Sequence, residues 1–264
     1  MIKILSGEAV ARRILSSLRK RKIKQRLTLA VIQIGKNAVS EKYIAEKGKV
    51  AKDLGIGFRL VSFPSNVSQA TLAKEIQKIG KDKRVSGMIV QLPLPRHINT
   101  QSVLDRIPQG KDVDVLSSAS FGKFVLGQLA ILPPTVGAIA LLLRKAGAQL
   151  QGGKVAVVGA GRLVGLPLIF WLLQQGATVL VAHKLTKNLS ELTKQATILI
   201  SGAGRAGLIR RSMIQEGAIV IDAGTSVESG KTQGDVDFKS VSKKAKFISP
   251  VPGGVGPLTV ACLF

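Results

Sequence analysis

Acidic residues are scarce in this chain of 264 residues: 15 Asp and Glu stand against 39 Lys and Arg, for a formal net charge of +24. Such an excess attracts nucleic acid, anionic membrane, or small molecules carrying phosphates and carboxylates. Aromatics are also few, at 4%, which argues against binding single strands by base stacking. The lone cysteine, Cys262, rules out an internal disulfide and a cysteine-based zinc site, so a reducing compartment and no metal are expected. Long apolar runs are missing too. The oiliest stretch, Leu163 to Leu173, is broken by Gly165 and Pro167 and falls short of the roughly 18 to 20 residues that span a bilayer. Residues 1–10 hold no uninterrupted signal core. The expectation is a soluble, cytoplasmic protein without membrane contact. What the chain does have is apolar substance, 45% hydrophobic with a mean hydropathy of +0.27. That excludes a disordered basic tail, and the length allows two compact domains or one large one.

Hydrophobic periodicity organises the chain. Val10, Ile14, Leu15 and Leu18 recur at helical spacing, and the basic run Arg19, Lys20, Arg21, Lys22, Lys24 and Arg26 closes that segment. A solvated helix end explains the run more simply than a nucleic-acid patch. Leu27 to Ile34 reads as a buried strand, about Val39 to Leu54 as a helix and Gly57 to Phe63 as a second strand. Ser68 caps a helix with Leu72, Ile76 and Ile79 on its apolar face. Ser86 to Leu92 is a third strand, stopped by Pro93 and Pro95. The Pro-rich connection Leu132 to Thr135 opens a helix through about Ala146. Alternation then resumes: strand Lys154 to Val158, glycine turn, helix Leu163 to Gln175, strand Thr178 to Ala182, helix near Leu189, strands Thr197 to Ser201 and Ala218 to Asp222. Strands alternating with helices predict parallel sheets covered on both faces, the second of them doubly wound.

Four segments could carry chemistry. Gly159-Ala160-Gly161-Arg162-Leu163-Val164-Gly165 follows an apolar strand and opens a helix. Glycines at this spacing suit either a plain tight turn or a dinucleotide pyrophosphate on a helix N-terminus, and the strand-helix-strand context favours the second. At the end of the next strand stand Ala182, His183 and Lys184 rather than a carboxylate for a ribose diol. Lys184 would suit a 2′-phosphate, so NADP is favoured with NAD possible, and His183 reads as a structural residue. Tyr43 and Lys47, four apart on a helix, share one face; spacing alone leaves Lys47 a solvated charge. Gln91, in Gln91-Leu92-Pro93-Leu94-Pro95, sits at a strand's carboxyl end, and Asp114 closes Lys111-Asp112-Val113-Asp114. A turn-stabilising amide and a surface carboxylate are the plain alternatives. Last, Pro250 to Thr259 reads as a rigid Pro/Gly loop whose backbone can approach a flat ligand.

Jointly these strings resemble the bifunctional methylene-tetrahydrofolate dehydrogenase/methenyl-tetrahydrofolate cyclohydrolase family over nearly the whole chain. Tyr43 to Lys47 matches its Y-x-x-x-K, Gln91 to Pro95 its Q-L-P-L-P, Lys111 to Asp114 its K-D-V-D, Thr186 to Leu189 its T-K-N-L, Gly234 to Phe238 its G-D-V-x-F and Pro250 to Thr259 its P-V-P-G-G-V-G-P-x-T. The resemblance implies two α/β domains with a cleft between them: a folate-binding catalytic domain over 1–132, a Rossmann-type NAD(P)-binding domain over 133–250, and a segment 251–264 returning to the first. It implies hydride transfer from methylene-tetrahydrofolate to NADP and hydrolysis of the methenyl product to formyl-tetrahydrofolate, in one-carbon metabolism, by a homodimer. Lys47, Tyr43 and Gln91 become the catalytic candidates, a partly desolvated Lys47 moving protons with Gln91 positioning it. Tyr43, Leu92, Asp114, Pro252, Gly253 and Gly254 become the folate contacts, and Gly159, Ala160, Gly161, Arg162, Gly165, Lys184 and Thr225 the cofactor contacts.

Departures from the family stand beside the matches. Its glycine turn reads G-R-S where this chain has Gly159-Ala160-Gly161, its usual Gly after the K-D-V-D string is Val115, and its C-terminal helix continues where this chain stops at Phe264. The altered turn leaves open a relative that keeps one activity only. A basic nucleic-acid-associated protein would account for Arg19 to Arg26 but leaves Tyr43, Gln91, Asp114 and Pro252 unexplained.

Overall fold

A computed structural model describes residues 2–21, 25–228 and 231–264. Lys22 and Lys24 of the basic run lie outside them. In chain order the elements are β1 (Lys3–Ile4), α1 (Gly7–Arg19), β2 (Thr28–Ile34), α2 (Ala38–Asp53), β3 (Gly57–Phe63), α3 (Gln69–Lys81), β4 (Gly87–Val90), α4 (Thr100–Leu104) and α5 (Ser118–Val125). There follow α6 (Pro134–Lys145), β5 (Lys154–Val158), α7 (Gly165–Gln174), β6 (Thr178–Ala182), α8 (Leu189–Thr193), β7 (Ile198–Ser201), β8 (Ile219–Asp222), the hairpin strands β9 (Ser226–Glu228) and β10 (Lys231–Gln233), α9 (Phe238–Val241), β11 (Phe247–Ile248) and α10 (Val255–Leu263). They form two compact units: Arg13–Pro133 with Leu263–Phe264, and the chain's start through Arg12 with Pro134–Cys262.

The first unit is built on a three-stranded parallel sheet in the order β3-β2-β4. Side chains alternate across a strand, and β2 uses both faces. Ala30, Ile32 and Ile34 pack with Leu72, Ile76 and Ile79 of α3 and with Val103 and Leu104 of α4. Leu29 and Val31 meet Ile44 of α2, Ile89 and the terminal Leu263 and Phe264. Ser68 caps α3 as read, its side chain accepting from Thr71 N.

The second unit carries a six-stranded, all-parallel sheet in the order β1-β11-β8-β7-β5-β6. From β5 the chain steps outward to β6, then crosses back to lay β7 on the other side of β5, so the strand order reverses between β5 and β7. Ligand crevices in open α/β sheets lie outside the carboxyl ends of strands at such a switch point. The chain's start joins this unit because Lys3 and Ile4 pair with Phe247 and Ile248.

Several element ends shift by a residue or two from the sequence reading, and three of the differences bear on the site. β4 ends at Val90, because Gln91 N makes the last bond to β2 and Pro93, two residues on, has no N–H to make the next. α7 begins at Gly165, with Leu163 and Val164 still in the turn. The Pro/Gly stretch is a loop only through Gly254; Val255 to Thr259 belong to α10. Pro257 is tolerated there because the first helical turn has no intrahelical partner for its N–H.

Candidate active site

In the first unit the site grows from one face of α2. Asn37 caps this helix, its side chain accepting from Ser40 N, and Tyr43 and Lys47 follow one turn apart, both half-buried. At the carboxyl end of β4, Gln91 N donates to Ile32 O at 2.8 Å, continuing the ladder by one bond. Its side-chain Nε2 donates to Leu92 O at 3.1 Å. That leaves Oε1 as acceptor, and Lys47 Nζ donates to it at 3.1 Å. Ser40 Oγ also donates to Leu92 O, at 3.3 Å, tying α2 to the peptide that carries this pair.

Asp114 completes the group. Burial pushes its carboxyl above the usual carboxylate range, the Lys47 charge pulls it down and Asp112 adds to the rise. Asp112 itself is 2% exposed and organises the loop: its oxygens accept from Leu116 N at 3.2 Å, Ser117 N at 2.8 Å and Ser117 Oγ at 2.6 Å. Between the two acids and these donors lies Val115, fully buried with φ of 59°. A β-branched residue in the left-handed region is strained by about 1 to 3 kcal/mol. Asn188, the other non-glycine with positive φ among the described residues, is of a type that tolerates it.

In the second unit the glycine turn sits at the switch point. Gly159 has φ of 95°, and a Cβ there would lie 2.6 Å from Gly202 O in the loop after β7. A Cβ at Gly165 would run into Gly159 O. These two glycines are therefore required by close approach of backbone. Gly161 faces open space, and Ala160, Gly161 and Arg162 are exposed at the start of α7. Such a cradle fits a pyrophosphate on a helix N-terminus. Lys184, also exposed, stands in a turn fixed by His183, whose N donates to Thr186 Oγ1 at 2.9 Å while its Nδ1 accepts from Leu185 N at 3.1 Å. Thr225 follows Gly224 beyond β8. Pro252, Gly253 and Gly254 lie in this unit too; Gly253 O accepts from Gly7 N at 2.9 Å and Glu8 N at 3.2 Å.

The structure thus groups Lys47, Gln91, Leu92 and Asp114 in one unit, with Tyr43 one turn from Lys47, and Gly159 to Gly165, Lys184 and Thr225 at strand ends of the other. The sequence reading gave no role to Asp112, Asp222 or Asp235, although acids are rare enough here for each to stand out. In the basic run, Arg19 Nη2 pairs with Asp53 Oδ2 at 2.9 Å on the surface. Among the described residues no group of His, Cys, Asp and Glu could hold a metal ion, and no described helix is long and apolar enough to cross a membrane.

Two family models match: the tetrahydrofolate dehydrogenase/cyclohydrolase catalytic domain over residues 5–114 and the corresponding NAD(P)-binding domain over 133–264. Bifunctional protein FolD 2 of Lactobacillus johnsonii is 41% identical over 100% of this chain and 95% of its own. A crystal structure of the bifunctional FolD methylenetetrahydrofolate dehydrogenase/cyclohydrolase from Campylobacter jejuni superposes with a TM-score of 0.94 at 39% identity, covering 100% of this chain and 96% of that one. The Trypanosoma brucei FolD, solved with NADP cofactor and an inhibitor, gives 0.93 at 35% identity over 99% and 94%. With both halves matched and identity near 40% along its whole length, the chain belongs to the tetrahydrofolate dehydrogenase/cyclohydrolase family.

Proposed function

We propose that the chain carries out both reactions for which its family is described: oxidation of methylene-tetrahydrofolate to methenyl-tetrahydrofolate with NADP, then hydrolysis of the methenyl group to formyl-tetrahydrofolate. The observation that carries this is the Lys47 to Gln91 hydrogen bond within the electrostatic reach of Asp114.

In the first reaction NADP supplies the hydride acceptor. The chain's part is to hold and orient. The turn from Gly159 through Ala160, Gly161 and Arg162 to Gly165 receives the pyrophosphate, Lys184 offers a cation to the 2′-phosphate and Thr225 a hydroxyl. In the second reaction a water oxygen adds to the cationic methenyl carbon and gives up both its protons as it becomes the formyl oxygen, one going to the nitrogen whose bond to that carbon breaks and the other released to solvent. Lys47 Nζ is the group for that transfer, held by Gln91 Oε1. The Asp114 carboxyl offers acceptors to the donors on the pterin edge. Tyr43, the Leu92 backbone and the backbone of Pro252, Gly253 and Gly254 flank the folate ring. The division of the sequence into 1–132, 133–250 and 251–264 belongs to the same proposal, as a statement of which residues serve which ligand; by contacts, the start of the chain and Val251 to Cys262 group with the nucleotide unit. So does a homodimer, which light scattering would check.

Replacing Lys47 by Ala should lower methenyl hydrolysis by about a hundredfold or more with the fold intact by circular dichroism; unchanged turnover removes Lys47 from the chemistry. NADPH absorbance should grow when methylene-tetrahydrofolate and NADP are supplied. Hydrolysis without reduction of either NADP or NAD would instead establish a cyclohydrolase that has lost the other activity, the reading favoured by Ala160 and Gly161 standing where the family has Arg and Ser.

A further inference from the structure

Two carboxylates in the nucleotide unit take no part in the roles above. Asp222 ends β8 and Asp235 lies between β10 and α9, at 2% and 0% exposure. Carboxylates so deeply buried are costly unless hydrogen bonds satisfy them, and replacing them by apolar side chains would serve packing as well. Their partners show what they do instead. Asp235 accepts from Ser201 Oγ at 2.7 Å, Ala203 N at 2.6 Å and Arg205 N at 2.8 Å, all in the segment that leaves β7. Asp222 accepts from Gly224 N at 3.0 Å, Asp235 N at 3.1 Å and Val236 N at 2.9 Å, holding the peptide that carries Asp235 and the turn that leads to Thr225. Two glycines make room for this: a Cβ at Gly224 would fall on the Asp235 carboxylate, and one at Gly234 on that of Asp222. The segment they hold is the one on which the glycine turn rests, since a Cβ at Gly159 would lie 2.6 Å from Gly202 O and 2.8 Å from Ala203 N.

We propose that Asp235, seated on Asp222, is a positioning residue for dinucleotide binding: it fixes Ser201 to Arg205 and, through Gly202 and Ala203, the height of the Gly159 to Gly165 turn. The inference rests on reading that turn as the NADP site. A backbone tied by a buried acceptor at three points keeps one geometry, which is what pre-organises a loop for a ligand. The proposed action runs through backbone amides and, for Asp235, the Ser201 hydroxyl.

Asp235→Asn is the test. It keeps size and shape but turns an NH2 toward donors that now need an acceptor. Calorimetry should show the Kd for NADP raised about tenfold or more, with the KM for NADP rising in step, while methenyl hydrolysis, which needs no cofactor, stays within twofold. A folded variant with wild-type NADP affinity overturns the inference. If Asp235→Asn fails to fold, Ser201→Ala removes a single donor; a Kd about threefold higher supports the inference and an unchanged one overturns it. Wild-type protein that binds neither NADP nor NAD would sink the reading of the turn and this inference with it, whereas wild-type binding unaffected in the variants sinks the inference alone.

Discussion

Each unit fastens its candidate site loop with buried aspartate, but the two do so differently. Under the Asp114 loop one carboxylate, Asp112, gathers Leu116 N, Ser117 N and Ser117 Oγ. Beside the glycine turn two carboxylates divide the work, and Asp222 feels Asp235 as a like charge. Burial, with that repulsion in addition, pushes Asp222 up to about 6 against the pull of its backbone donors. A single carboxylate holding three donors is a one-piece clamp, whose like charge falls on Asp114 outside it; a pair reaches further along the chain and carries the tension within the clamp. The price of the longer reach is a group that titrates near neutral pH.

The comparison can be broken most forcefully at the single clamp. Asp112→Ala strands three donors in the interior and should cost about 3 kcal/mol or more, read as a lowered denaturation midpoint; a loss under about 1 kcal/mol would mean the loop does not depend on it.

The pair is sharpened by pH. Asp222 binds a proton more tightly folded, with a pKa of about 6, than unfolded, at about 4. Its contribution to stability is therefore fully present below about pH 4 and lost as pH rises through 6, up to about 3 kcal/mol in all. Denaturation of wild type between pH 4.5 and 7 (about the range that matters) should show this component, and Asp222→Asn should flatten it. An identical slope in both proteins would show that Asp222 is not the group that burial pushes up.

The smallest effect concerns Val115. Truncating a buried valine to glycine costs about 3 kcal/mol from lost burial and added chain entropy, but relief of the left-handed strain returns about 1 to 3 kcal/mol. Val115→Gly should therefore cost about 2 kcal/mol or less; the full loss of about 3 kcal/mol would show that the loop is unstrained.

The sequence made some of this visible and hid the rest for physical reasons. β3, β5 and β6 have the bounds their apolar runs predict, and Ser68 announces α3, because period and cap chemistry are local. The pairing of Lys3 with Phe247 is not local, and two-residue strands have no period to read. α10 hid behind its own Gly and Pro, which signal a loop until Pro257 is placed in a first turn. Lys47, Gln91 and Asp114 were legible as family strings, and the Lys47 to Gln91 distance came only with the fold. Asp112, Asp222 and Asp235 were not legible as anchors, since their partners are mostly backbone N–H groups that every non-proline residue offers.

Cys262 lies in the last turn of α10 next to Gly137, and burial pushes its thiol up to about 11. At pH 8 about one such thiol in a thousand is ionised, so alkylating reagents will pass it by. The chain is in effect a cysteine-free background: one cysteine introduced on an exposed loop would take a fluorophore or spin label selectively, with the native thiol left in place.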